Sequence, residues 1–275
     1  HHKDSDRNFL CDVCGADLCT EHSPVTVKGY AATCTTDGSQ KRACTVCGHE
    51  ETGSIPATGH EVYNNGFCAV CDAYQPAVQN ANGIYEIGNA GQLYWFAAQV
   101  DGDFENFGSA NAVLTADIVV NENVPNEYGH LNNGSCREWT PIGASSYRYS
   151  GIFDGQNHSI SGLYVNDSFK KYVGLFGYVD NSTVKNTGVI DSLIRGKDYV
   201  GGVCGQAFES KVINCYNSGA INGAGYIGGV VGDIDDSTIT NCYNTGTVSG
   251  AGYVGGVVGK NEGGGTITNC YNTGE

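Results

Sequence analysis

The chain has 275 residues, of which 14 are Lys or Arg and 29 are Asp or Glu, so its formal net charge at neutral pH is −15. Because this excess of negative charge repels polyanions, we expect no nucleic-acid partner. No stretch reaches the roughly 18 consecutive apolar residues that a membrane span needs, so we expect no membrane insertion of this chain. Composition divides the chain into three predicted domains: 1–78, 79–168 and 169–275.

Residues 1–78 are rich in cysteine and histidine. They hold eight of the thirteen cysteines and five of the seven histidines. Six cysteines form Cys-x-x-Cys pairs, a spacing that lets two thiolates reach one tetrahedral metal ion. The three pairs are Cys11 with Cys14, Cys44 with Cys47, and Cys68 with Cys71. The pattern predicts small zinc-ribbon-like modules in which zinc is structural rather than catalytic.

These pairs need further ligands, and several groupings fit the spacing. The first pair has two possible completions, either His2 and His22 or Cys19. The second pair could be completed by Cys34 and His60, and the third by His49 or His60. Disulfide bonds are one alternative, because a secreted module of this size has too small a core to be stable without covalent cross-links. Free thiols are another alternative. The stretch from Ala32 to His60 resembles small Cys/His modules on surface proteins of anaerobic gut bacteria.

Residues 79–168 contain one clear helix signal. Asn89 and Gln92 have the spacing of a capping box, and apolar residues at helical spacing follow from Leu93 to Val100. We predict a short amphipathic helix here. It would cap the repetitive structure that follows in the chain, whose first turn otherwise exposes unpaired backbone groups and apolar interior to water.

Residues 169–275 repeat with a period of 27 residues. The phrase Tyr-x-Gly, with Val or Ile at x, begins at Tyr172, Tyr199, Tyr226 and Tyr253. Val, Ile, Thr, Tyr and Gly dominate and leucine is absent after Tyr199, so the composition favours strands over leucine-rich repeats. We predict an all-β fold, a parallel β-helix with three walls, about 27 residues per turn, and a corner at Gly201–Gly202.

A second phrase, Asn-Cys-Tyr-Asn, recurs in the same repeats. It begins at Asn214, Asn241 and Asn269. Because stacked turns bring equivalent residues about 4.8 Å apart, we expect these asparagines to form a hydrogen-bonded ladder. The cysteines that follow them would form a second ladder, for which an odd count and parallel side chains favour buried free thiols: Cys215, Cys242 and Cys270.

Several segments together carry a resemblance to a known family. They are the phrase from Tyr253 to Gly259, the phrase from Thr238 to Gly246, and upstream segments such as the one from Gly151 to Leu163. These segments resemble the GLUG-motif repeats of bacterial surface proteins, over residues 82–275. The resemblance implies a right-handed β-helix on a secreted or wall-attached protein. Similar segments occur beside adhesive regions and in immunoglobulin-A-cleaving metallopeptidases, so it implies no single activity.

Two classes of function fit these features. We predict a non-enzymatic surface module, a rigid stalk on which Tyr216, Tyr243 and Tyr271 bind glycan or a host surface protein. The alternative is a carbohydrate-active β-helix enzyme, a lyase or a hydrolase, or an accessory region of a larger secreted metallopeptidase. The sequence places Asp154 near His158 as an acid and base, but we interpret this phrase as a turn.

Two further expectations concern calcium and the ends of the chain. Asp233, Asp235 and Asp236 form an acidic cluster that could hold calcium, although a solvated loop is the simpler interpretation. The chain begins at His1 without an initiator methionine or signal peptide, and it stops within a repeat at Glu275. We therefore expect a fragment of a longer protein.

Overall fold

The computed structural model describes residues 24–44, 50–60, 62–125 and 136–275. They belong to two compact units. The N-terminal unit lies within residues 1–64 and 68–73, and the solenoid unit comprises residues 65–67 and 74–275.

The N-terminal unit is built on a three-stranded antiparallel sheet. Its strands are β1 (Pro24–Tyr30), β2 (Gly38–Cys44) and β3 (Glu50–Ile55), in the order β1-β2-β3, and the short strands β4 (Tyr63–Asn64) and β5 (Phe67–Cys68) follow. The turn between β1 and β2 is held by Thr33, whose hydroxyl accepts a hydrogen bond of 3.0 Å from Thr36 N. Such a turn fixes the position of Cys34 within it.

The solenoid unit begins with short elements around one helix. They are β6 (Val78–Gln79), β7 (Tyr85–Ile87), α1 (Ala90–Gly102), α2 (Phe104–Phe107), β8 (Ala112–Leu114) and β9 (Ile118–Val119). The strands that follow are two to five residues long: β10 (Ile152–Asp154), β11 (Ser159–Ser161), β12 (Tyr164–Asn166), β13 (Phe176–Asp180), β14 (Thr183–Lys185), β15 (Gly188–Ile190), β16 (Leu193–Arg195), β17 (Val200–Gly201), β18 (Cys204–Phe208), β19 (Lys211–Ile213), β20 (Tyr216–Asn217), β21 (Ala220–Gly223), β22 (Tyr226–Gly228), β23 (Val231–Asp235), β24 (Thr238–Thr240), β25 (Tyr243–Asn244), β26 (Val248–Gly250), β27 (Tyr253–Gly255), β28 (Val258–Glu262), β29 (Thr266–Thr268) and β30 (Tyr271–Asn272).

These strands stack into five parallel sheets. The stacks are β7-β8-β10-β14-β19-β24-β29, β9-β11-β15-β20-β25-β30, β12-β16-β21-β26, β13-β18-β23-β28 and β17-β22-β27. Equivalent residues of successive turns lie 27 or 28 positions apart. The predicted all-β parallel solenoid is confirmed. Each full turn, however, has five short strands rather than three walls, because residues with positive φ such as Asn214 and close-packed glycines such as Gly219 bend the chain between them.

The predicted corner of the repeat is confirmed. β17 ends at Gly201 and β18 begins at Cys204. Val200, Val203 and Cys204 are all 0 % exposed, so the bend turns three neighbouring apolar side chains into the same core. A Cβ at Gly201 would lie 2.2 Å from the carbonyl oxygen of Cys204, and only glycine fits that position.

The predicted helix is also confirmed, with a small difference at its start. Asn89 Oδ1 accepts a hydrogen bond of 3.0 Å from Gln92 N, as a capping box requires. Gln92 Oε1 instead accepts from Gly88 N, at 2.8 Å, one residue before the expected donor. Six apolar or aromatic residues of the helix are buried in the core of the solenoid unit: Ala90, Leu93, Tyr94, Phe96, Ala97 and Val100.

The cysteines of the repeats are free thiols, as predicted. Cys215 and Cys242 are buried and Cys270 is half-buried. The thiol of Cys215 lies 3.3 Å from the carbonyl oxygen of Ile213, to which it donates. Burial raises the pKa of Cys215 well above its usual value, so it remains a neutral apolar filler.

Candidate functional site

Four metal-ligating side chains converge in the N-terminal unit. The ligand atoms of Cys34, His60, Cys68 and Cys71 all lie within 4.8 Å of one another. The sulfur atoms of Cys34 and Cys68 are 3.7 Å apart. Cys71 Sγ lies 3.5 Å from His60 Nδ1. We call these four residues the thiol–imidazole cluster, and it could hold a metal ion.

The spacing within the cluster fits a tetrahedral metal site. Bonds of about 2.3 Å to sulfur and about 2.0 Å to nitrogen give tetrahedral edges of about 3.8 Å between two sulfurs and about 3.5 Å between sulfur and nitrogen. The two measured separations, 3.7 and 3.5 Å, match these edges. Disulfides, the alternative, are absent among the cysteines whose side chains the structure describes, which are all free.

Local turns bring the four ligands together. Cys68 and Cys71 lie in a knuckle in which Cys68 N donates to Ala73 O and Asp72 N donates to Cys68 O, both at 2.9 Å. Cys34 sits in the turn after β1, and its carbonyl oxygen accepts from Gly59 N at 3.1 Å. That backbone bond places His60, the next residue, beside the thiols. The cluster is therefore assembled by backbone geometry rather than by long flexible side chains.

The electrostatics of the cluster favour a thiolate at Cys68. The hydrogen bond from His60, helped by the backbone N–H groups of Val70 and Cys71, lowers the pKa of Cys68 to about 6. Burial and the neighbouring thiols raise the pKa of Cys34 to about 11. One thiolate is thus present at neutral pH, and a bound cation would draw the proton from the other cysteines.

The cluster differs from the first predicted grouping. Cys34 and His60 were predicted to join Cys44 and Cys47, but the structure brings them to Cys68 and Cys71. His60 was one of the two predicted partners of that third pair. The structure does not describe the side chain of Cys44. The remaining predicted ligands lie outside the described residues: Cys11, Cys14, Cys47, His2, His22, Cys19 and His49.

The predicted binding tyrosines form one column on the solenoid. The ring centroids of Tyr216 and Tyr243 are 5.0 Å apart, and those of Tyr243 and Tyr271 are 5.1 Å apart, with 3° between the planes of each pair. Tyr216 rests over Gly188, where a Cβ would lie 2.1 Å from its ring. The rings therefore cover one another's faces. Among the described residues their hydroxyls find no hydrogen-bond partner and are not buried.

An exposed asparagine ladder runs beside this tyrosine column. Asn241 Nδ2 donates to Asn214 Oδ1 at 3.0 Å, and Asn269 Nδ2 donates to Asn241 Oδ1 at 3.3 Å. The ladder continues through Asn186 to Asp154, with bonds of 2.8 and 2.9 Å. The predicted ladder is confirmed. It lies two residues from the tyrosine in each turn, so amide and phenol groups repeat together along the solenoid.

A second, buried asparagine ladder was not predicted. Asn217 and Asn244 are 0 % exposed. Asn217 Nδ2 donates to Asn244 Oδ1, and Asn244 Nδ2 donates to Asn272 Oδ1, both at 2.8 Å. Each amide also donates to a carbonyl two residues further on, as Asn244 does to Gly246 O at 2.8 Å. The only sequence signal was strand alternation, which turns Asn217 inward because Tyr216 faces outward.

The carboxylates of Asp233, Asp235 and Asp236 do not converge on one point. Among the described residues the thiol–imidazole cluster is the only group of three or more potential metal ligands. Asp233 is 2 % exposed, so the solvated-loop interpretation is wrong for it. Its Oδ2 accepts from Gln206 Nε2 at 2.9 Å, whereas Oδ1 has no partner. Asp236 is turned elsewhere and accepts from Gly264 N at 2.6 Å.

We expect Asp233→Asn to remove a loss of stability that sets in as pH rises towards neutrality. Burial raises the pKa of Asp233 to about 6. The unfolded carboxyl has a pKa of about 3.9, so the folded state holds a proton that the unfolded state has lost. Stability from this group is present below about pH 4 and is lost as pH rises to about 6, by about 2–3 kcal/mol. Urea unfolding from pH 4 to 7.5 should show this slope in the parent and a flatter profile in Asp233→Asn; equal slopes would contradict it.

Asp154 and His158 do not act on each other. Asp154 Oδ2 pairs with Lys185 Nζ at 3.0 Å, and its Oδ1 accepts from Asn186 and from Gln156 N. His158 Nδ1 instead lies 3.4 Å from Asp117 Oδ1. Burial opposes ionisation, but these hydrogen bonds and the ion pair keep the pKa of Asp154 below its usual value. The bond from Gln156 N to Asp154 closes a turn, in agreement with the interpretation of this phrase. The bond from Asn186 makes Asp154 the start of the asparagine ladder.

Comparison with known proteins identifies the repeats. Residues 198–222, 223–249 and 250–275 each match the GLUG motif. A search of the curated proteins found no match for the chain. Among the described residues, no helix is long and apolar enough to cross a membrane. Residues 198–275 are therefore three consecutive GLUG-motif repeats, stacked as turns of a β-solenoid, an arrangement that fits a module of a surface protein.

Proposed function

We propose that the solenoid is a non-enzymatic adhesive module of a secreted or wall-attached bacterial protein, and that it binds glycan along the column of Tyr216, Tyr243 and Tyr271. The observation that carries this proposal is the row of open phenol hydroxyls beside the exposed ladder of Asn214, Asn241 and Asn269. Phenol and amide groups offer both donors and acceptors, which suit the hydroxyls of a sugar.

The geometry of the column determines how a glycan would be held. The rings lie 5.0 and 5.1 Å apart and cover one another's faces, so sugar rings would meet ring edges and hydroxyls rather than flat aromatic faces. The same groups recur in every turn, so a chain running along the solenoid axis makes several equivalent weak contacts. The stacked rings are ordered before binding, which lowers the entropy cost of association.

Tyr243→Phe tests the role of the hydroxyl. It removes one hydrogen-bonding group and keeps the stacked ring, so we expect glycan affinity to fall about three- to tenfold without loss of stability. Tyr243→Ala should weaken binding further. Affinity is measured on a glycan and mucin array and then by titration with the best ligand. The matched control is Tyr226→Phe, in a different tyrosine column.

The results separate three readings of this surface. Equal loss in Tyr226→Phe and Tyr243→Phe would remove the column from the binding site. Binding of a host protein but no glycan would replace the ligand class. Bound glycan that is shortened with time would favour the alternative, a carbohydrate-active enzyme. No pair of free carboxylates supports that alternative at Asp154, which is held by Lys185 and Asn186.

For the thiol–imidazole cluster we propose structural zinc. Three sulfur ligands and one imidazole at tetrahedral spacing suit Zn²⁺, and a closed set of four protein ligands leaves no position for a substrate. The ion would join the turn of Cys34 to the knuckle of Cys68 and Cys71. Metal analysis of the purified protein should find one zinc ion at this cluster.

A further inference from the structure

One corner of the solenoid is positively charged although the chain is acidic overall. It consists of two stacked segments, residues 167–171 after β12 and residues 195–198, which begin at the last residue of β16. They contain four cations against two carboxylates, and we call them the cationic corner: Lys170, Lys171, Arg195, Lys197, Asp167 and Asp198. The whole chain, by comparison, has 14 basic and 29 acidic residues.

Three of the four cations form no ion pair with a carboxylate that the structure describes. The two segments are stacked directly, because Lys197 N donates to Lys170 O at 2.6 Å. Lys171 Nζ pairs with Asp198 Oδ2 at 3.0 Å, which neutralises both. Within the described chain, Lys170, Arg195 and Lys197 form no ion pair. The charge of Lys170 also favours the ionised form of the Asp101 carboxyl, whereas the exposed side chains of Arg195 and Lys197 face solvent or a partner.

The charge at this corner is not needed by the fold. The next turn stacks on the corner through Ala224 N, which donates to Lys197 O at 2.8 Å, so Ala224 occupies the position of Lys197. Ala251 holds that position one turn later, 27 residues further along the chain. In these two later turns the residue at the position of Lys197 is therefore small and uncharged. The cations are a departure from the repeat, which points to a role in recognition rather than stability.

Groups that bind sugar hydroxyls surround the cations. Arg195 lies in parallel register between Asn166 and Asn222. Asn166 Nδ2 donates to the hydroxyl of Tyr164 at 3.3 Å, and Asn222 Nδ2 donates to Ser249 Oγ at 2.8 Å. Phe169, in the first segment, is 83 % exposed and offers a free ring face. Charge, amides, hydroxyls and one aromatic ring thus share a single surface.

We propose that the cationic corner binds an acidic polysaccharide, one that carries carboxylate or sulfate groups. Its anions would contact Lys170, Arg195 and Lys197, and its hydroxyls would contact Asn166 and Asn222. Screening in physiological salt limits the reach of the other acidic residues to about 8 Å, so the net charge of the chain does not prevent local binding. A nucleic acid is disfavoured, because its dense row of phosphates extends beyond three cations and would meet the acidic remainder of the chain, whose net charge is −15.

The test measures binding of chondroitin sulfate, with neutral dextran as the comparison. The triple variant Lys170→Ala, Arg195→Ala, Lys197→Ala should bind at least tenfold more weakly than the parent. The single variant Lys211→Ala removes an exposed lysine on another sheet and should bind like the parent. Raising salt from 0.05 to 0.2 M should weaken parent binding roughly 20- to 40-fold, as expected for three ionic contacts.

Several outcomes would overturn the proposal. They are equal affinity of the triple variant and Lys211→Ala, binding that is insensitive to salt, equal binding of dextran, and a DNA oligonucleotide of the same charge that binds as well as the polysaccharide. Folding of the triple variant is checked by its unfolding midpoint, which should not change. The fold-loss of affinity caused by the triple substitution should be the same in a Tyr243→Ala background as in the parent, so failure of the cationic corner and failure of the tyrosine column are distinguishable.

Discussion

Cys68→Ser is expected to abolish metal binding and to unfold the N-terminal unit while the solenoid stays folded. The thiol of Cys68 has its pKa lowered to about 6 and is the ligand that is already ionised at neutral pH. A structural zinc ion contributes on the order of 10 kcal/mol to the folding of a small module. The core of so small a unit supplies only about 3–5 kcal/mol, which cannot compensate for its loss.

Metal content and hydrogen exchange check this result. Zinc in the variant should fall below a tenth of that in the parent, and amides of residues 50–60 should lose their protection. Amides of β18 to β25 should stay protected, because they belong to the solenoid unit. Cys136→Ser is the matched control, since Cys136 is a free, half-buried thiol outside the cluster. Unchanged zinc and unchanged exchange in Cys68→Ser would refute the structural role.

The sequence identified the right kind of metal site but not its membership. The Cys-x-x-Cys spacing of Cys68 and Cys71 is local, because one turn brings both sulfurs to one point. The partners of that pair depend on the path of the chain between distant segments. Cys34 lies 34 residues before Cys68, yet their sulfur atoms are 3.7 Å apart, and the backbone bond from Gly59 N to Cys34 O brings His60 to them. No spacing rule reveals either contact.

The solenoid was more predictable because it repeats. A period of 27 residues, together with β-branched composition, fixes which residues stack, and the ladder of Asn214, Asn241 and Asn269 follows directly. The buried ladder through Asn244 was missed because a polar residue is not expected in a core. Strand alternation beside an outward tyrosine was the available signal. No comparable sequence signal predicted that Asp233 is buried with Oδ1 lacking a partner, because its burial depends on the neighbouring turns of the solenoid.

Asn244→Ala is expected to be the most destabilising single change in the repeats. Asn244 Oδ1 accepts from Asn217 Nδ2 at 2.8 Å and from Gly246 N at 3.3 Å, and its Nδ2 donates to Asn272 and to Gly246 O, each at 2.8 Å. Alanine leaves several of these groups without a partner in a core that excludes water. At about 1–3 kcal/mol for each unsatisfied group, the expected loss is about 3–5 kcal/mol.

The matched control for this prediction is Asn241→Gly, in the exposed ladder of the same turn. Asn241 has φ of 55°, which glycine adopts without strain, and water can replace its two amide bonds. We therefore expect a loss below about 1 kcal/mol. Urea unfolding of both variants, followed by circular dichroism, measures the difference. The buried ladder would lose its assigned role if the two variants unfolded at the same urea concentration, because the contrast depends only on whether water reaches the amide.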